Sequence, residues 1–537
     1  MKKYISLLLV ITALVLCACG SSSASQASPS PSVSPAQESS AVTTSSVTTL
    51  ELYNKIVTVT DESDSDVPLC EVKYPAVSLG SSDAEKYPAL ARSLASLNAD
   101  GAQNSSAAYT QLLSAAQSEM ERRSASAAAI EASGLESEDE EQAFETFYRY
   151  DDLTLPRADS RAVSILYSMT SYSGGVHGNY YYYSVNLDSS TGRKLSVSDV
   201  VTDMAQLRSV LDDGIRAANP DADLSPMEDA LNEYFLAPDS FTWTLDYQGL
   251  TFYFSPGELS DLEYGRIIYS IRFDDYDGLF SLYYTETPNT YVVPFTGGEV
   301  LNYDLNRDGV ADSISVEFEY DDDGDGIEKL IIDVNGKSYT ASTPMQDCRM
   351  YMVYDGGAKH FLFISAQNLT GYGYISVYKL DRTGATLVGM QYERSLYAAE
   401  YCDVCPGTAL LTNPDSFVMG TRIQYLGTLT GLKTYSIGED GMPVSEDSYY
   451  TLYGGEPLTL KSQLITATID SSTGSGTMSA ATLNPGTVLS FLRSDGEGSV
   501  DMYTDDGIYC RLYVSGKPGS QKVNGMDVDS VFSGISY

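Results

Sequence analysis

The segment best suited to chemistry is Asp304-Leu305-Asn306-Arg307-Asp308-Gly309-Val310-Ala311-Asp312. It offers side-chain oxygens at the first, third, fifth and ninth positions, a backbone carbonyl at the seventh and glycine at the sixth. That is the donor set a hard divalent cation takes. The glycine permits the reversal that turns the carboxylates inward. The expectation is structural Ca²⁺ held by Asp304, Asn306, Asp308, the Val310 carbonyl and Asp312; the other reading is an acidic, solvated turn. A sensor hand is not expected, because Ser315 stands where the bidentate glutamate belongs and strand patterns flank the loop. A weaker site lies at Asp321, Asp323 and Asp325. Lys329 there denies the last carboxylate, so a plain hairpin tip explains the segment equally well.

His177 follows Gly174-Gly175-Val176 and precedes Gly178, Asn179 and the run Tyr180 to Tyr183. Strand alternation places Tyr180 and Tyr182 on one face, and Tyr181 and Tyr183 on the other. His177, Tyr180 and Tyr182 form a candidate contact rim, since aromatic side chains anchor interfaces. The competing reading is a loop histidine and a tyrosine pair committed to the core.

Signatures of catalysis are missing. There is no Gly-x-Ser-x-Gly elbow, no His-Glu-x-x-His and no phosphate loop. Ser376-Val377-Tyr378-Lys379 matches Ser-x-x-Lys but sits in a strand pattern without companion motifs. The expectation is a chain without catalysis. Paired carboxylates for glycoside cleavage stay open, because their separation is spatial. Cys70, Cys348, Cys402, Cys405 and Cys510 are odd in number, so at least one does not pair within the chain. Cys402 and Cys405 have redox spacing, but Pro406 follows and no βαβ pattern surrounds them. A local disulfide or inert thiols remain, and His360 alone does not complete a zinc site.

The start of the chain gives an address. Met1-Lys2-Lys3, the apolar run Tyr4 to Leu16 and a small-residue exit describe a secretory signal. Leu16-Cys17-Ala18-Cys19 resembles the lipobox of bacterial lipoproteins. The resemblance implies cleavage after Ala18 and lipidation of Cys19, with 1–18 as signal peptide. Residues 19–49 are rich in Ser, Thr, Pro and Ala and read as a tether. No later segment is apolar enough to span a bilayer, so the lipid alone would anchor the chain at the outer face of the cytoplasmic membrane.

The chain has 537 residues, 32 Lys plus Arg against 73 Asp plus Glu, and a net charge of −41. Such acidity argues against nucleic acid as a partner and favours cationic ones. Apolar content of 43% supports real cores.

The expected fold class is multidomain, with an α+β N-terminal half and an all-β C-terminal half. Residues 50–157 read as a small α/β domain, with strands at 50–60 and 72–77 and helices at 88–97 and 106–133. Residues 158–292 alternate strands with a helix from 198 or 199 to 218. Gly174-Gly175-Val176-His177, Asn186-Leu187-Asp188, Thr191-Gly192, Leu195 to Val200 and Leu250 to Phe254 resemble the extracellular domain of RsiV-type anti-sigma factors. That domain also occurs beside peptidoglycan deacetylase domains. The resemblance spans about 50–292 and implies binding of lysozyme, or of a cell-wall ligand. It does not carry over sigma-factor control, because no transmembrane segment is present. Residues 293–537 are Tyr-, Gly- and Asp-rich with many short strands. They resemble degenerate calcium-containing β-propeller modules; a sandwich plus a small barrel is the alternative.

Overall fold

The computed structural model describes residues 47–537 except 61–67, 134–143, 176, 322, 323, 325, 343, 358, 369–372, 397–407 and 470–478. Cys19, Cys402, Cys405, Asp323, Asp325, the signal and nearly all of the tether lie outside the described residues. The N-terminal region is mixed α/β and the C-terminal half is all-β apart from a helical turn at Val528–Val531.

Strands β1 (Leu52–Thr60), β2 (Cys70–Leu79), β3 (Phe147–Ala158), β4 (Ala162–Tyr172) and β5 (Asn179–Asp188) form one sheet in that order. The border read at 157/158 falls at the end of β3, inside this sheet. The β2–β3 pairing is parallel and short, Cys70–Lys73 against Phe147–Tyr150. A parallel neighbour needs a crossover, and a helix supplies it. That helix runs unbroken from Pro88 to Ser133, where two helices were expected. Asn98 and Gly101 look like a stop in sequence. In the structure the Asn98 side chain bonds the Val77 N–H and C=O at 2.9 Å each. Gly101 passes the Tyr74 ring, with its Cβ position 3.8 Å away. The Asn98 amide is thus spent on the sheet, and the helix continues. Leu90 and Leu94 pack against Leu52, Val77 and Leu153 in the core. Among the described residues no helix is long and apolar enough to cross a membrane.

Beyond β5, a helix at Met204–Ala218, capped by Asp203 on the N–H groups of Ala205 and Gln206, covers a second core. It is shared with a helix at Met227–Leu236, which the sequence reading lacked, and with the three-stranded sheet β6 (Trp243–Leu245), β7 (Gly249–Phe254) and β8 (Ile267–Arg272).

The C-terminal half starts with β9 (Tyr291–Phe295), β10 (Val300–Tyr303), β11 (Asp312–Tyr320), β12 (Ile327–Val334) and β13 (Lys337–Ala341). Strands β10 to β13 form a four-stranded meander. Next come β14 (Asp347–Tyr354), β15 (His360–Gln367), β16 (Gly373–Asp381) and β17 (Gly384–Tyr392), which join β9 in a five-stranded sheet ordered β17-β16-β15-β14-β9. Leu362 and Ile364 of β15 face Ile314 and Ile332 of the meander. Phe361 and Phe363 face the other way, toward Phe417 and Tyr435. A strand buried on both faces reads as a continuous apolar run, as His360–Gln367 does. Thr408–Ala409 (β18) returns to pair with β1 as the sixth strand of the first sheet. The last part is a branched thirteen-stranded sheet over its own core. Among the described residues these sheets are not closed, and they differ in strand number. The meander lies against the five-stranded sheet as a sandwich does.

Candidate functional site

The tyrosine run on β5 divides as alternation requires. Tyr183 stacks on Tyr167 at 4.5 Å and donates its hydroxyl to Asp151 at 3.1 Å. Arg149 holds the same carboxylate with two bonds, at 2.9 and 2.8 Å. On the opposite face Tyr180 and Tyr182 meet edge to face at 5.1 Å. Tyr182 is 9% exposed and rests 5.2 Å from the Tyr253 ring of β7. Arg266 donates from Nη1 to the Tyr182 hydroxyl at 2.6 Å and pairs with Glu299 at 2.9 Å. Its guanidinium carbon stands 5.9 Å from both rings, within cation–π range.

Tyr180, Tyr182, Tyr253 and Glu299 line a groove of about 210 Å³, with Asp152 and Asp246 in its wall. Burial raises the hydroxyls of Tyr182 and Tyr253, so both stay neutral donors. Burial also raises the Glu299 carboxyl, against the pull of Arg266. The Asp246 carboxyl is raised by burial too, although one of its oxygens accepts the N–H groups of Gln248 and Gly249 at 2.6 and 2.7 Å. The groove therefore mixes aromatic faces, neutral hydroxyls and acidic groups, which suits hydroxyl- and amine-bearing ligands.

Of the expected rim, Tyr180 and Tyr182 come together in this groove. His177 does not line it; it is exposed beside Gly174 and Gly175, whose φ values are 90° and 111°. Arg266, Tyr253 and Glu299 were missed by the sequence reading. They come from separate segments with no shared spacing, so no local signal could have joined them.

The loop between β10 and β11 takes the expected turn. Asp304 accepts the N–H groups of Asn306, Asp308 and Gly309 at 3.3, 3.2 and 2.7 Å. Asp304 and Asp312 are buried, at 4% and 3% exposure. The counter-charges present are arginines. Arg382 lies 2.8 Å from Asp308 and 3.6 Å from Asp312, and Arg272 lies 3.9 Å from Asp304. Val310 is exposed, with its N–H on Asp308. Among the described residues no three acidic, histidine or cysteine side chains converge on a metal-sized point. The donor types fit a hard cation, but Asp308 and Asp312 are turned to Arg382. Asp321 sits in the next hairpin, accepting the Gly324 N–H at 3.1 Å through its backbone carbonyl. Burial pushes the thiols of Cys348 and Cys510 up to about 12, so neither is a thiolate nucleophile at neutral pH.

No family model matches this chain, and no curated protein matches it. Among solved structures, a member of the DUF3298 family from Bacteroides fragilis aligns at 15% identity and a TM-score of 0.30. It covers 43% of this chain and 94% of its own. A DUF3298 family protein from Pseudomonas aeruginosa aligns at 14% identity and a TM-score of 0.29, over 44% of this chain and 95% of its own. Likeness at this level says nothing of function.

Proposed function

We propose that this chain is a lipid-anchored, extracytoplasmic binding protein that captures a basic protein, such as a lysozyme, or a cell-wall ligand, and does not convert it. The observation that carries the reading is the groove in which Tyr180, Tyr182 and Tyr253 meet Glu299 and Asp152. Aromatic faces beside hydroxyls and carboxylates bind sugar hydroxyls and cationic side chains alike. The lipobox-like Leu16 to Cys19 and the RsiV-like motifs supply the address and the ligand class. The charge of −41 favours fast, salt-sensitive capture of a basic partner.

One observation favours a second reading, cell-wall glycan hydrolysis or an accessory role in it. Two carboxyls raised by burial, Asp246 and Glu299, line one groove, as a general acid would. Both are already committed, Glu299 to Arg266 and Asp246 to a backbone turn, and binding is the better account.

Pull-down of the mature protein with lysozyme and with peptidoglycan, at two salt levels, tests this. Salt-sensitive lysozyme capture without wall turnover is expected, reduced at least tenfold in Tyr180→Ala. Release of soluble muropeptides would establish the hydrolase instead. Binding to neither would end the receptor reading.

In the same reading the Asp304–Asp312 loop takes Ca²⁺ weakly, with Arg382 as its competitor. The Arg382–Asp308 pair is exposed, at 52% and 37% for the two side chains. Such exposed pairs are weak, so a millimolar cation can displace the guanidinium. Calcium should raise the melting temperature, and more so in Arg382→Gln. Identical melting curves in excess EGTA and in calcium, for both proteins, would refute it.

A further inference from the structure

A second cavity, of about 300 Å³, shares Asp152, Thr154 and the 294–296 segment with the tyrosine groove. Its remaining wall is largely apolar, with Leu153, Leu155, Phe318, Met350 and Leu411. Its polar members are Asn54, Thr412 and Arg349, whose guanidinium is bonded to Asp151. Asn54 stands apart from them. It is 2% exposed, and its Oδ1 has no hydrogen-bond partner. Strand β1 buries Leu52 and Asn54 on one face and turns Tyr53 and Lys55 outward, so Asn54 occupies a slot where an apolar side chain would pack. Thr412, the hydroxyl beside it, is spent on the Leu50 carbonyl at 2.8 Å and the Leu52 N–H at 3.3 Å.

A buried amide atom without a partner destabilises the free protein, and most such groups have one. The space holds roughly ten water-sized volumes, far more than one bridging water. An ionised ligand would lose its hydration against these walls. The Cys348 thiol, pushed up to about 12 by burial, reflects the same apolar surroundings.

We propose that this cavity binds an uncharged, ring-sized amphipathic molecule, whose hydroxyl or amide group bonds Asn54 while its ring fills the apolar wall. The inference is independent of the groove reading, because it rests on Asn54, Gly297 and Phe318, which do not line that groove. Gly297 shapes the wall. A Cβ there would lie 2.2 Å from Phe318 Cε2, so the ring covers the cavity only because residue 297 has no side chain.

The probes are 2-naphthol and 2-methoxynaphthalene, titrated by fluorescence into the mature protein. Saturable one-site binding of 2-naphthol is expected, with the methyl ether about tenfold weaker. Asn54→Leu should weaken 2-naphthol about tenfold, leave the ether unchanged, and melt no lower than the parent without ligand. Gly297→Ala should weaken both probes, and Tyr180→Ser neither. The proposal is overturned by absence of saturable 2-naphthol binding, by equal affinity in Asn54→Leu, or by loss of binding in Tyr180→Ser. Should Asn54→Leu not fold, unchanged binding in Gly297→Ala overturns it equally.

Discussion

Arg157 has no exposed side-chain surface, and its charge is matched by Asp159 at 2.8 Å. Its other N–H groups donate to the carbonyls of Tyr284 at 2.6 Å, Glu286 at 2.8 Å and Asp246 at 3.2 Å. One side chain thus fastens the end of β3 to the loops of the three-stranded region. Removing it strands a buried carboxylate and three carbonyls. Arg157→Ala should lower stability by about 3–5 kcal/mol, read from urea midpoints. His360 is a different case. It is 2% exposed, between the rings of Tyr303 and Tyr354 at 5.6 and 5.0 Å. Burial, with Arg307 adding to it, lowers its pKa from 6.5 to about 4. The unfolded chain therefore binds more protons between those values, and stability falls as pH drops through that window. The contribution is complete above pH ~6.5, and the loss by pH ~4 is about 3 kcal/mol. The stability difference between the parent and His360→Phe should change over pH 7 to 5; a constant difference would exclude this role.

At the scale of elements, the long helix and β2 depend on each other. The parallel pairing of β2 with β3 ends at Lys73, and Asn98 serves the Val77 backbone beyond it. Asn98→Ala removes two bonds to a buried strand, and a loss of about 2 kcal/mol is expected in thermal or urea unfolding. The middle sheet of the β-rich half shows what alternation can and cannot reveal. Met350 and Met352 join the core with the meander, while Tyr351 and Val353 join the core with β19 (Phe417–Ile423). The apolar runs mark strands buried on both sides, but they do not say which sheet covers which face.

At the scale of the molecule, residues 45–537 form one compact unit, although the sequence divides naturally near 157 and 292. The reason is strand exchange. Tyr53 and Asn54 pair with Ala409 and Thr408, and Thr412 bonds the backbone of Leu50 and Leu52. The N-terminal region thus borrows an edge from the C-terminal half. A fragment ending at residue 292 would expose the β1 edge and uncover Leu153 and Leu155, which β9 and its neighbours help enclose. It should associate or unfold, whereas the whole chain should give one cooperative transition over 45–537. Size-exclusion chromatography of the fragment and calorimetry of the whole chain check both outcomes.

Sequence alone settled what depends on neighbours along the chain. It gave the mixed N-terminal and β-rich C-terminal halves, the alternation that splits Tyr180 and Tyr182 from Tyr181 and Tyr183, and the turn at Asp304 to Asp312. These follow from periodicity and glycine placement, which are local. Tertiary structure decided the rest. It carried one helix past Asn98 and Gly101, with the Asn98 amide bonded to the sheet at Val77. It turned Asp308 and Asp312 toward Arg382, distant in sequence, and laid the sheets open and unequal. It also joined Tyr182 to Arg266 and Glu299, and left Asn54 facing an apolar cavity. Each of these depends on groups brought together by packing, and no spacing along the chain encodes such meetings.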